Sequence, residues 1–435
     1  MRNDITFADG RAIKAEDVAA SFARTLTPAT AGGDVTALAG VSQLAGIEGA
    51  EEVLAGHRES LSGIQVSDAV NMIFTLTAPD SAFPEKLASI PASVVDTTGS
   101  GHVSANATGH FRLDGPASSD ILTMTNQEYR YKGNSTVKEL SFLLGASAAN
   151  PGNLLQAGKI DIATGLTADE AALLVDPANS LDSLNVVATP EFSLLYLALD
   201  PTRAPLDDQN IRRAIQIGFP WDRLVAAAGA SVDRAQGVIA PGMLGRDWPA
   251  VIPAYDLELA RHAIAQSRYG TPERVPPIPI YTGQTSLSDP LRNVGVALQE
   301  WLGQHLGLSI EPVSVAWGDF IGGLPAGRFP NYSLTWVADY PDPSAFLRVL
   351  FGSDSPDNYS GYRSAAFDAL VSEALSTPDE ASRITLYEQA QQLLIDDAVV
   401  MPISFDIGYT AYRNGIGGVP VTPIGLIGLE SVSVS

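Results

Sequence analysis

The chain contains no cysteine and comparatively few basic residues. Its 435 residues include 26 Lys and Arg against 49 Asp and Glu, for a formal net charge of -23. Without cysteine there can be no disulfide, thiol nucleophile, cysteine zinc site or iron–sulfur cluster. An acidic balance is the wrong sign for a surface that neutralises phosphates, so we expect neither a nucleic-acid partner nor binding to anionic lipid.

Long apolar runs are also missing. Stretches such as Leu194 to Leu199 are far shorter than the roughly 20 residues that a membrane-spanning helix needs. Met1 does not open a basic, apolar export signal. Residues Ile5 to Leu26 read as the middle of a domain, and we expect that an N-terminal part, with its export signal, is missing from this chain.

No catalytic motif is present. The five histidines are scattered and form no HExxH pair or other metal-ligand spacing. Gly99-Ser100-Gly101 lacks the third glycine and the strand-and-helix frame of a dinucleotide fingerprint. There is no GxSxG nucleophile elbow, and no carboxylate pair has specific support as a glycosidase dyad. The sequence therefore predicts a protein that is not an enzyme and has no metal or cofactor.

The length and the periodicity predict several lobes of α/β structure. A chain of 435 residues exceeds one ordinary core, since single domains run to roughly 100 to 200 residues. Between Ile278 and Val315 the pattern is strand, helix and strand, with Pro290 at the start of the helix and Gly307 at its end. Such a unit makes a parallel crossover, which is typical of an α/β lobe.

Other segments predict individual elements. The apolar run Leu194 to Leu199 is typical of a buried central strand. Thr377 to Glu380 reads as a capping box that begins a helix. Further predictions are a helix over Ala15–Leu26, a hairpin over Ile64–Leu76, a surface loop over Thr97–Gly109, strands over Phe111–Leu113, Ile121–Met124 and Val399–Ile403, a short helix over Pro151–Gly158, and a strand over Ile160–Ile162.

The segment WVADYPDP at 336–343 places an acid, Asp339, between two aromatic residues. Its prolines restrict the backbone to extended or turn conformations. From residue chemistry alone, Asp339 fits a capped turn in which the carboxylate accepts hydrogen bonds from nearby amides. A role in ligand binding is the alternative interpretation.

Ordered markers along nearly the whole chain resemble the family 5 extracellular solute-binding proteins, the oligopeptide- and dipeptide-binding receptors of ABC importers. Any one marker is weak, but their order over this length is specific. They are ITFADGRAIKAEDVAASFARTL at 5–26, ATGHFRL at 107–113, LLQAGKIDIATGL at 154–166, APLDDQNIRRAIQIGFPWDRLV at 204–225, YDLELARHAIAQSRYG at 255–270, WVADYPDPSAFL at 336–347 and NYSGYRSAAFDALVSEAL at 358–375.

The resemblance implies an α/β, two-lobed clamshell of three domains, the type II, cluster C architecture of periplasmic binding proteins, with its N-terminal part missing here. The expected division has four segments. They are 1–95 as a small extra domain of the first lobe, truncated at its start, 96–200 as the first-lobe α/β domain, 201–405 as the second-lobe α/β domain, and 406–435 as a C-terminal return to the first lobe.

The same resemblance implies a binding site for an extended peptide. Asp339 matches the acid that pairs with the N-terminal ammonium of the peptide. Thr335 and Val337 match the backbone that adds to the peptide like a neighbouring strand. Trp336 matches an aromatic wall, and Trp317 a second tryptophan that lines a side-chain pocket; core packing is the alternative for both rings.

One departure concerns the other end of the ligand. Oligopeptide receptors of the family carry an arginine a few residues before the matching tryptophan, where Ser333 stands in this chain. The resemblance therefore carries over no partner for the ligand carboxylate, and Arg328 is a weak candidate. Peptide length preference stays open.

The implied function is capture of short peptides for the permease subunits of an ABC importer. We expect a bacterial, extracytoplasmic monomer, either periplasmic or a cell-surface lipoprotein. One alternative is a receptor-fold surface protein with a regulatory or scaffold role and no import. Another is a receptor for an oligosaccharide, a nickel complex or haem.

Overall fold

A computed structural model shows a mixed α/β protein that divides into two compact units. Unit 1 comprises Met1–Val187 and Tyr409–Ser435, and unit 2 comprises Ala188–Gly408. The structure describes residues 1–28, 41–98, 106, 108–114, 121–127, 136–144, 150–176, 184–229, 231–284, 290–419 and 421–434.

Unit 1 contains short helices and small sheets. Its elements before the first crossing are α1 (Ala15–Thr25), α2 (Val41–Leu44), α3 (Ala50–Leu54), β1 (Ile64–Val66), β2 (Met72–Phe74), α4 (Phe83–Leu87), β3 (Phe111–Leu113), β4 (Ile121–Asn126), β5 (Glu139–Leu143), α5 (Pro151–Gln156), β6 (Ile162–Leu166) and α6 (Ala168–Val175). The chain then passes into unit 2 along β7 (Leu184–Pro190).

Unit 2 holds the longest helices and the main sheet. Its elements are β8 (Ser193–Ala198), α7 (Gln209–Gly218), α8 (Trp221–Ala228), β9 (Val232–Arg234), α9 (Leu257–Gln266), β10 (Ile278–Gln284), α10 (Pro290–Leu306), β11 (Ile310–Ala316), α11 (Trp317–Gly323), β12 (Tyr332–Val337), α12 (Ser344–Phe351), α13 (Ala365–Ser376) and α14 (Glu380–Asp396). The chain returns to unit 1 along β13 (Val400–Arg413), which is followed by β14 (Ile416–Gly417) and β15 (Ser433–Val434).

At the start of unit 1, helix α1 packs on the hairpin of β1 and β2. Strands β1 and β2 pair antiparallel with Ile64 opposite Phe74. Phe22 of α1 stacks on Phe74 at a centroid distance of 6.1 Å, so the apolar stripe of the helix covers the hairpin. Arg11 donates to Asp17 and to Asp96, at 2.8 and 3.0 Å, and thereby links the start of α1 to the segment after α4.

The sheet of unit 2 has the order β11-β10-β12-β8-β13. Strand β10 is parallel to both β11 and β12, whereas β8 is antiparallel to β12 and β13. Every residue of β8 is buried, as the apolar run at 194–199 predicts for a central strand. The predicted strand–helix–strand unit is confirmed by the parallel pairing of Ile278 with Ile310.

Helices cover both faces of this sheet. On one face the aliphatic side chains of the strands, such as Leu195 and Ile280, pack with residues of α7, α8, α9 and α10 in a single buried cluster. The other face carries aromatic rings. Tyr196 and Tyr332 contact edge to face at 6.0 Å, and Phe351 of α12 lies 6.1 Å from Tyr196. Unit 2 is therefore a three-layer α/β/α structure.

Several sequence predictions need correction. Thr377 does not begin a helix: it follows the last residue of α13, and Asp379 caps α14 by accepting from the amide of Ser382 at 2.9 Å. The strand predicted at 160–162 begins only at Ile162. Strand β8 lies in unit 2, and the predicted boundary at 200 stays a prediction.

The remaining predicted elements agree or fall outside the described residues. The helix at 15–26, the hairpin at 64–76, the strands near 111, 121 and 400 and the short helix at 151 are present. Most of the predicted loop at 97–109 lies outside the described residues. Among those described, no helix combines the length and the apolarity needed to cross a bilayer. The division into three domains stays a prediction.

Gln391 supports unit 2 from within α14. Its side chain is fully buried, and its carbonyl oxygen accepts from the amides of Val238 and Ile239 at 3.0 and 3.2 Å. These two amides belong to an irregular segment, so the glutamine supplies the acceptor that a strand or helix would otherwise provide.

We expect Gln391→Leu to lower the free energy of unfolding by about 2 kcal/mol, because two buried amide donors would lose their acceptor. The neighbouring Gln392 is exposed, and Gln392→Leu should change it by no more than about 0.5 kcal/mol. Denaturant unfolding of both variants measures the difference, and equal midpoints would contradict the assignment.

Two carboxyls lie along the segments by which the chain crosses between the units: Glu191 directly after β7, and Asp406 within β13. The amide of Glu191, just after β7, donates to the carbonyl of Asp406 at 2.9 Å, and the amide of Asp406 donates to Ser193 Oγ at 2.7 Å. Burial raises the pKa of Asp406. Burial, together with the nearby Asp406, raises the pKa of Glu191.

A carboxyl with a raised pKa binds its proton more tightly in the folded protein than in the unfolded chain. The contribution of this proton to the free energy of unfolding is fully present at low pH. That effect is lost as the pH rises through the folded pKa. Asp406→Asn should therefore lose less stability than wild type when the pH is raised from about 4 to about 7. Thermal unfolding across this range tests it, with the exposed Asp233→Asn as control; parallel curves for wild type and Asp406→Asn would contradict it.

Candidate functional site

The carboxyl ends of three strands lie at the same end of the sheet in unit 2. Strand β10 ends at Gln284, β11 at Ala316 and β12 at Val337. Since β10 is parallel to both neighbours, the segments that follow these strands emerge on the same side. In open α/β sheets this is the usual place for ligand binding.

At this end, the edge of strand β12 that faces β10 is not paired by any described strand. The amide of Ala338 donates to the carbonyl of Phe192 at 2.8 Å, which places the even-numbered main-chain groups of β12 on the β8 side. The amide of Tyr281 donates to the carbonyl of Asn331 at 2.8 Å, so the odd-numbered groups lie on the β10 side. In the described part of the chain, β10 pairs with β12 only as far as Ser333.

The main-chain groups of Thr335 and Val337 consequently point to an edge where no described strand continues the ladder. Thr335 is partly buried, and the Val337 side chain is 46% exposed. The two residues that the resemblance assigned to backbone contact are therefore the two whose N–H and C=O groups lie along this edge.

Both predicted tryptophans border the same end of the sheet. Trp317 is the first residue of α11, directly after β11, and is 42% exposed. It packs on the backbone of β10 at Gly283. Trp336 lies on the aromatic face of β12 and is partly buried, and its Nε1 has no hydrogen-bond partner within the described residues. Core packing alone does not account for the exposure of Trp317.

The two acids of WVADYPDP have different surroundings. Asp339 is exposed, two residues beyond the end of β12. Asp342 is 1% exposed, and its Oδ1 accepts from the amide of Ser344 and from the hydroxyl of Tyr387, at 2.9 and 2.8 Å. Burial and the neighbouring Asp342 carboxylate raise the pKa of Tyr387, which keeps the phenol as a donor.

Asp342 thus performs the capping that residue chemistry alone suggested for Asp339. Sequence reasoning missed it, although an acid two residues before a serine at a helix start is a recognisable signal. The buried Tyr387 gave no such signal, because its partner lies 45 positions away along the chain.

Ser333 stands where oligopeptide receptors of the family carry an arginine, and this position is not accessible from the surface. Ser333 is fully buried, and its Oγ has no partner among the described residues. Arg328 is exposed and lies over the ring of Phe329 at 5.3 Å. Within the described residues, no group of three or more His, Cys, Asp or Glu side chains is placed to hold a metal ion.

The burial difference between the two acids predicts different effects on stability. Asp342→Ala should lower the free energy of unfolding by roughly 2 to 3 kcal/mol, because it leaves the buried Ser344 amide and the buried Tyr387 hydroxyl without their acceptor. Asp339→Asn should change it by about 0.5 kcal/mol or less, as is usual for exposed positions. Chemical denaturation compares them, and a larger loss for Asp339→Asn would reverse the two assignments.

Comparison with known proteins gives matches over most of the chain. The family model of bacterial extracellular solute-binding proteins, family 5 Middle, matches residues 1–358. The periplasmic oligopeptide-binding protein OppA of Escherichia coli K12 is 24% identical over 436 residues, covering 96% of this chain and 78% of OppA. Di/tripeptide-binding protein 1 of Pseudomonas aeruginosa UCBPP-PA14 is 25% identical over 399 residues, covering 87% and 72%.

A solved structure shows the same fold. The Escherichia coli murein tripeptide binding protein MppA superimposes with a TM-score of 0.77 at 20% identity, covering 100% of this chain and 86% of MppA. The sequence markers, the α/β architecture and the family match agree, and the chain belongs to family 5 of the bacterial extracellular solute-binding proteins.

Proposed function

We propose that this protein is the solute-binding receptor of an ABC importer that captures short peptides and delivers them to the permease subunits. The single observation that carries the proposal is the edge of β12 at Thr335 and Val337, which no described strand pairs, followed within two residues by the exposed carboxylate of Asp339. Similarity to oligopeptide- and di/tripeptide-binding proteins supports the same ligand class.

The geometry of this edge suits an extended peptide. A peptide added alongside β12 would pair its main chain with the outward-facing groups of Thr335 and Val337, as in other cases of strand addition. Main-chain pairing ignores side-chain identity, so one site can accept many sequences. Side-chain contacts would fall to Trp317 and Trp336.

Asp339 would hold the N-terminal end of the peptide. A carboxylate that accepts hydrogen bonds from an ammonium group makes a charge-assisted contact, which is stronger than a neutral hydrogen bond and fixes the direction of the ligand. The position of Asp339 just past the unpaired edge would set the register of the peptide on β12. The partner of the ligand carboxylate stays unassigned, since Ser333 is buried and uncharged.

The protein would act by binding alone, without a catalytic step, a metal or a cofactor. In keeping with the receptor role, it would work outside the cytoplasmic membrane, in the periplasm or as a lipoprotein, and as a monomer. The similarity to peptide-binding relatives does not favour a surface protein with only a regulatory or scaffold role, nor a receptor for oligosaccharide, nickel complex or haem.

Isothermal titration calorimetry with Ala-Ala-Ala and with N-acetyl-Ala-Ala-Ala tests the role of Asp339. We expect Asp339→Asn to weaken binding of the free tripeptide by about 10- to 100-fold, the usual worth of a charge-assisted contact. The acetylated peptide lacks the ammonium and should bind weakly to both proteins.

The exposed Asp247→Asn serves as the matched control and should bind like wild type. Equal affinity of wild type and Asp339→Asn for the free tripeptide would remove Asp339 from this role. If no peptide of two to five residues binds wild type or raises its melting temperature, peptide capture itself is wrong, because a ligand of the folded state must stabilise it.

A further inference from the structure

Gly283 of β10 is a glycine that the packing requires. A Cβ at this position would lie 2.6 Å from Cε3 of Trp317 and 2.6 Å from Cδ1 of Phe320. These distances are far below a carbon–carbon contact, so any side chain would displace the rings. The backbone at Gly283 is not left-handed, and the glycine is therefore needed for space rather than for conformation.

Trp317 lies at one end of a row of aromatic rings that continues through Phe320 and Phe329 to Tyr281. Its indole lies 6.2 Å from the ring of Phe320, which is fully buried. Phe320 lies 5.5 Å from Phe329, and Phe329 lies 5.1 Å from Tyr281 of β10. The indole is thus held by the strand backbone and by Phe320, while 42% of its surface stays exposed.

This ring lies where β12 loses its partner. The last paired residues of β10 and β12 are Thr282 and Ser333, and Gly283 follows Thr282 directly. On α11, Ile321 stands one turn after Trp317 and is 40% exposed. Beside the unpaired edge the structure therefore presents an apolar surface made by Trp317 and Ile321, which we call the α11 platform.

We propose that Gly283 is a positioning residue that seats Trp317 in the α11 platform, and that the platform makes the peptide site prefer an apolar or aromatic ligand side chain over a charged one. This inference rests on the proposed function. A flat indole gains buried apolar area and ring stacking with such a side chain. A charged side chain placed there would lose water without gaining a partner.

The experiment measures a preference ratio by calorimetry with two peptide pairs, Ala-Phe-Ala against Ala-Glu-Ala and Ala-Ala-Phe against Ala-Ala-Glu. Wild type should favour the phenylalanine peptide about 10-fold or more in at least one pair, a difference of about 1.4 kcal/mol. Gly283→Ala should reduce that ratio at least about 5-fold, because the new methyl group displaces the indole.

A double-mutant cycle tests whether Gly283→Ala changes the preference ratio through Trp317 or through a general loss of structure. Trp317→Leu alone should reduce the ratio, and Gly283→Ala should have no further effect on it in the Trp317→Leu background. The emission spectrum of Trp317, obtained as the difference between proteins with and without Trp317→Leu, should shift in Gly283→Ala. Gly318→Ala on the same helix is the matched control, since a Cβ there has open space, and it should keep the wild-type ratio.

The outcomes distinguish the two proposals. If wild type binds neither these four peptides nor any other peptide of two to five residues, the proposed function fails. If it binds them without a preference, the role of the platform is overturned and peptide capture stands. If Gly283→Ala and Trp317→Leu reduce the ratio independently, the positioning role of Gly283 is overturned. Should Gly283→Ala not fold, Trp317→Leu decides, and an unchanged ratio in that variant overturns the inference.

Discussion

The main-chain hydrogen bonding of β12 is the constraint on which the candidate site depends. On one side the strand pairs with β8 along its whole length, whereas on the other, within the described residues, it pairs with β10 only through Tyr332 and Ser333. Backbone N–H and C=O groups need partners, and an unpaired strand edge is a template for another extended chain. Here the unpaired part is short and ends beside an exposed acid, Asp339, which suits a site for a short ligand.

Burial assigns different roles to chemically identical groups in one motif. Asp342 is buried and accepts hydrogen bonds from the Ser344 amide at the start of α12 and from the Tyr387 hydroxyl, so its interactions stabilise the unit. Asp339, three residues earlier, keeps its carboxylate at the surface. The hydrogen bonds of Asp342 to Ser344 and Tyr387 hold the chain in place three residues beyond Asp339. A rigid turn lowers the entropic cost of placing a charged group at a defined point.

Packing, more than helix propensity, positions α11. Its sequence WGDFIGG contains three glycines, which disfavour a helix in isolation. Phe320 and Trp317 hold it against the sheet, and Gly283 provides the space for both rings. The exposed apolar surface beside β12 is therefore a product of close contact between two segments about 35 residues apart in sequence.

The sequence by itself determined the kinds of elements and the available chemistry. Hydrophobic periodicity sufficed for the crossover at Ile278–Val315 and for the buried run at 194–199, because burial on both faces leaves a local pattern. Local patterns were less reliable at helix ends: Asp379 caps α14 in place of Thr377. Only the tertiary structure decided which edge of β12 stays unpaired, which acid is buried and which glycine lies under Trp317. Strand neighbours and ring contacts join residues far apart in the chain, and no local periodicity records them.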